Sequence, residues 1–71
     1  MDHLIRAFMR SEGLRGNITC ARLLDEICAV GREEIANTIE VMMREFNLSS
    51  SARVDTLLGL LQKKREEEND K

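Results

Sequence analysis

A chain of 71 residues and 8.1 kDa makes one domain at most, burying roughly 60% of its unfolded surface, so regular helix packing, a metal, disulfides or a second copy must supply its stability. Its net charge of −2, with basic and acidic residues interspersed, excludes a polyanion-binding tail and a disordered acidic segment. With no Pro, Trp or Tyr and an abundance of Leu, Glu, Arg and Met, the composition favours helix over strand, because straight-chain residues lose little rotamer freedom in a helix.

The first helix is expected over about Asp2 to Ser11, with Leu4, Ile5, Phe8 and Met9 on one face and His3, Arg6 and Arg10 opposite. Gly13-Leu14-Arg15-Gly16-Asn17 should end it, since Gly and Asn tolerate positive φ. A second helix follows over about Ile18 to Val30, with Asn17 or Thr19 as its N-cap. Cys20, Leu23, Leu24, Ile27, Cys28 and Val30 cover an arc of about 160°, wider than the stripe of a simple surface helix, which makes this helix central. Gly31 is its expected stop, with a helix continuous through Gly31 as the alternative.

A third helix spans Arg32 to Phe46, where Ile35, Ala36, Ile39, Met42, Met43 and Phe46 form one stripe and Val41 alone sits on the polar side. Glu33 and Glu34 suit its first turn, where the helix dipole favours acids. Asn47 to Ser51 form the next break, and their serines offer N-caps for a fourth helix over about Ala52 to Arg65. Val54, Leu57, Leu58 and Leu61 are its inner face, widened by Leu60. Glu66, Glu67 and Glu68 then meet the negative end of the dipole, so fraying into a charged tail is expected. No internal repeat is evident at this level.

The expected architecture is therefore all-α: a small bundle of about four short helices, completed by homodimerisation. One domain covers residues 1–65, and residues 66–71 form a disordered charged tail. Met1-Asp2-His3-Leu4 lacks the basic and apolar regions of a signal peptide, and no apolar run approaches bilayer length, so a cytoplasmic location is expected. Cys20 and Cys28 fall about 80° apart on one helix and ~12 Å along its axis, too far to bridge each other, and read as buried free thiols.

Catalysis needs a nucleophile with an oriented base, or paired carboxylates in a pocket. The only His, His3, lies near a terminus, and the acids of the middle helices fall on polar faces, so no enzyme is expected. Three Cys and His residues at long spacing cannot make a zinc site, calcium loops are absent, and Gly13 and Gly16 read as turn residues rather than a phosphate cradle. No cofactor or small-molecule substrate is implied.

The segment Met43-Arg44-Glu45-Phe46-Asn47-Leu48-Ser49-Ser50-Ser51-Ala52-Arg53-Val54 resembles the turn of helix-turn-helix DNA-binding regulators. Asn47 stands for the turn glycine and Leu48 for the apolar residue after it. The resemblance implies a recognition helix that begins at the serines and reads nucleic acid through Ser50, Ser51 and Arg53. It covers a dozen residues, and Arg53 takes a position normally apolar. Residues 17 to 61 carry four Arg against seven Asp or Glu, which opposes a basic DNA footprint.

The remaining signal is apolar surface beyond what one small copy can bury, with Met1, Met9, Met42 and Met43 as adaptable side chains. The leading expectation is a non-enzymatic helical regulator that acts by protein–protein binding, of the antirepressor, anti-activator, co-chaperone or adaptor type. Self-association is expected through Val41, Leu57, Leu60 and Leu61. An unidentified protein partner is expected at Arg6, Phe8, Met9 and Arg10, on a terminal helix able to detach and dock.

Overall fold

Helix-forming sequence and glycine punctuation account for the element order. The computed structural model describes residues 2–69 and contains α1 (Asp2–Glu12), α2 (Cys20–Ala29), α3 (Glu33–Glu45) and α4 (Val54–Asn69), with no strand among the described residues. The first three helices stop in the same way. Gly13, Gly31 and Asn47 take φ of 68°, 76° and 56°. The next amide then reaches back to an open carbonyl: Leu14 N to Met9 O at 2.8 Å, Arg32 N to Ile27 O at 3.1 Å, and Leu48 N to Met43 O at 2.8 Å. This left-handed cap satisfies carbonyls that a helix end otherwise leaves unpaired. Gly31 thus separates α2 from α3, and the continuous helix is ruled out.

The helix starts are organised differently, by pairing one loop with the other. Thr19 and Arg53 form an isolated antiparallel bridge. Around it, Cys20 N donates to Ala52 O (2.8 Å) and Ala21 N to Ser50 O (3.0 Å), while Val54 N donates to Ile18 O (2.9 Å) and Asp55 N to Gly16 O (3.0 Å). These are the amides at the start of α2 and α4 that have no partner within their own helix. Thr19 Oγ1 accepts the next one, from Arg22 N at 3.2 Å, so Thr19 rather than Asn17 is the cap of α2.

The end caps of α1 and α3 and the four amide bonds between the loops recur 34 positions along the chain, the separation that the bridge between 19 and 53 spans. Met9/Leu14 matches Met43/Leu48 at the helix ends, and Cys20/Ala52 matches Val54/Ile18 between the loops. The chain is therefore two helix–loop–helix halves, α1–α2 and α3–α4, related by a local two-fold axis through the loop bridge. This corrects the expectation that no repeat exists. The duplication is carried by positions such as Ile5/Ile39, Met9/Met43, Leu23/Leu57 and Leu24/Leu58, too sparse to stand out in composition or periodicity.

The core lies between the halves and is built from Ile5, Phe8, Met9, Cys20, Leu23, Ile27, Ile35, Ala36, Ile39, Met43, Val54, Leu57 and Leu58. Leu14, Ile18, Leu24, Met42, Phe46, Leu48, Ala52 and Leu61 pack around it. One burial and one helix end differ most from expectation. Cys28 is exposed whereas Cys20 is buried, so only one thiol is in the core. The fourth helix runs through Glu66, Glu67 and Glu68 to Asn69 instead of ending at Arg65, because Glu, Gln and Lys propagate helix well and Gln62 reaches Glu66 one turn on. Residues 70 and 71, the rest of the expected tail, and Met1 lie outside the described residues. None of the described helices is long and apolar enough to cross a membrane.

Candidate functional site

The residues expected to bind a partner divide between core and surface. On α1, Ile5, Phe8 and Met9 are buried, and Arg65 Nη1 of α4 donates to Asp2 Oδ1 (3.2 Å) and His3 Nε2 (2.8 Å). A helix anchored by core side chains and by this charged tie at its start is not a detachable arm. That corrects the role given to Phe8, whose ring is part of the core. Arg6 and Arg10 are exposed and, among the described residues, make no ion pair.

Arg6 and Arg10 flank an open cleft of about 320 Å³ whose other walls are Met9, Leu14, Gly16, Asp55 and Leu58. One turn separates the two guanidinium groups along α1, which places their side chains as neighbours on one face. The end cap at Gly13 turns Leu14 back toward Met9, and the loop bridge brings Asp55 against Gly16. The Asp55 carboxylate lies in the space that a Cβ on Gly16 would take, so a larger residue at 16 would turn the exposed Asp55 side chain away from this end of the cleft.

A second open site lies where α3 ends against α4. Glu45, Phe46, Leu60, Lys63, Lys64 and Glu67 line a groove of about 480 Å³, with half-buried Phe46 and Leu60 on its floor. Lys64 Nζ reaches Glu45 Oε2 at 3.5 Å. Lys63 and Glu67 make no ion pair among the described residues. Val41, one turn before Glu45, is 51% exposed.

Of the side chains assigned to self-association, Val41 and Leu60 are thus at the surface. Leu57 is fully buried and Leu61 packs against the core, because their face of α4 is turned toward the other half. Leu57 is closed to a second copy, whereas half-buried Leu61 keeps part of its surface open.

Ser50, Ser51 and Arg53 are exposed but precede α4, which starts at Val54. Ser50 offers its carbonyl to Ala21 N, Ser51 Oγ lies 2.8 Å from Ser49 Oγ, and Arg53 Nη1 donates to Asn17 O at 2.8 Å. The recognition-helix start implied by the helix-turn-helix resemblance is replaced by the loop bridge, a contact 34 residues away in sequence that the local pattern does not encode. Phe46 and the bridge itself are the site features that the sequence reading left out.

Each half has the helix–loop–helix frame in which calcium loops of about twelve residues place acidic ligands. Here the loop residues 13–19 and 46–53 contain no Asp or Glu, and backbone pairing occupies their place. Among the described residues, His, Cys, Asp and Glu form no group of three able to hold a metal. Comparison with protein-family models, curated proteins and solved structures finds no match to the chain.

Proposed function

We propose that this chain is a small non-enzymatic helical protein that acts in the cytoplasm by binding protein surfaces, as an antirepressor, anti-activator, co-chaperone or adaptor, and that it works as a homodimer. The groove at Phe46 and Leu60 is the observation that supports this reading. Its apolar floor is rimmed by both signs of charge, with Lys63 and Glu67 unpaired among the described residues. An isologous two-fold contact needs such a self-complementary patch. Antiparallel α4 helices would set Lys63 and Lys64 of one copy against Glu67 and Glu45 of the other, closing Leu60, Phe46 and Val41 between them.

Sedimentation equilibrium at micromolar concentration tests the dimer. The unmutated chain is expected to sediment as a dimer, and Leu60→Glu and Val41→Asp each as a monomer with unchanged circular dichroism, since both positions lie outside the core. A unmutated chain that sediments only as a monomer removes self-association from the reading.

A further inference from the structure

The two-fold duplication supplies an internal comparison for the cleft beside α1. Its counterpart in the second half is a cleft of about 360 Å³ lined by Glu40, Met43, Arg44, Asn47 and Leu48. Two of the three apolar floor residues are repeated, Met9 by Met43 and Leu14 by Leu48, and so is one arginine, Arg10 by Arg44, whereas Leu58 has no counterpart in the second cleft. Helix capping explains the shared apolar residues, because the same backbone bonds recur there. It does not explain Arg6, whose counterpart is Glu40. The repeated backbone frame carries either charge at this position, and Arg6 makes no ion pair, with Asp55 or any other acid, among the described residues. One cleft is doubly basic with Asp55 at its end, and the other carries an acid beside its arginine.

We infer that the Arg6–Arg10 cleft takes an acidic, apolar peptide segment of a partner protein, with an aliphatic or aromatic side chain seated on Met9, Leu14 and Leu58 and carboxylates held by Arg6 and Arg10. This deepens, and rests on, the reading of the chain as a protein-binding module. Two guanidinium groups one turn apart offer fork-shaped donors suited to carboxylates. The cleft volume lies at the lower end of the range of small-ligand pockets, which suits one or two side chains of a segment laid across an open trough. A nucleic acid is disfavoured, because the chain as a whole is acidic and phosphate-backbone binding draws on an extended basic footprint.

The test is a selection from a random twelve-residue peptide library displayed on phage, against the full chain, followed by anisotropy titration of the enriched peptides. Enriched sequences are expected to pair Asp or Glu with Leu, Ile, Phe or Met. Their affinity should fall at least tenfold for Arg6→Ala/Arg10→Ala and change less than twofold for Arg44→Ala, all three proteins having the same circular dichroism. Raising the salt should weaken binding to the unmutated chain, and replacing the peptide acids by Gln should abolish it.

Enrichment without acids, equal loss with Arg44→Ala, or displacement by duplex DNA at lower concentration than by peptide overturns the proposal. Peptides indifferent to Arg6→Ala/Arg10→Ala overturn the cleft alone and leave the protein-binding reading standing. No enrichment, together with a monomer by sedimentation, overturns both.

Discussion

Cys20 and Cys28 share a helix and a chemistry, yet their surroundings part them. Cys20 is enclosed in the core opposite its counterpart position Val54, and burial raises its thiol pKa from the ordinary value. Cys28 faces solvent. A thiol reagent is therefore expected to label one cysteine per native chain and two in denaturant, which mass spectrometry can read. A raised folded-state value means that the folded chain holds its proton more tightly than the unfolded chain. The stability contributed is fully present below the thiol's ordinary range, about pH 8.5, and is lost as pH rises through the folded value. Denaturation midpoints measured from neutral to alkaline pH should fall less steeply for Cys20→Val, which keeps an apolar side chain and removes the ionisable group.

Among the elements, α4 departs most from its expected form. Its counterpart α2 ends at Ala29, where the chain must turn into α3 at Gly31. The position equivalent to Gly31 is Arg65, and with nothing to stop it the helix continues. Of this extension, Arg65 binds back onto the molecule, through Asp2, which is buried, and His3. Glu66, Glu67 and Glu68 are exposed. Ending the chain after Arg65 should leave the urea midpoint almost unchanged. Arg65→Ala should cost about 1 kcal/mol, a charged hydrogen bond discounted for the exposure of the arginine. A large loss on truncation would show that the acidic turn is docked.

In the molecule as a whole, the two-fold relation makes a quantitative demand. Leu23 and Leu57 occupy equivalent positions, and both are fully buried. Leu23→Ala and Leu57→Ala should each destabilise by about 2–5 kcal/mol, the range for a leucine-sized cavity, and each variant should unfold in a single transition by circular dichroism. Two transitions, or a loss confined to one variant, would mean that the halves are separate units. The reciprocal loop bonds argue for one unit, because each half supplies the carbonyls that the other half's helix needs at its start.

Much of the helical layout was legible in the residues. Helical periodicity, Thr19 as a cap and Gly13, Gly31 and Asn47 as stops act over three or four neighbours, and local sequence records them directly. How completely an apolar face is covered is not legible in the same way: the stripes that carry Phe8 and Leu57 do not say whether a neighbouring helix leaves any of their surface to a partner. Pairing across 34 residues settled that question, along with the loop bridge, the Arg6–Arg10 cleft and the fate of the serine-rich turn. Such pairing depends on backbone amides and packed side chains that meet only when both halves are folded, and no window along the chain contains them both.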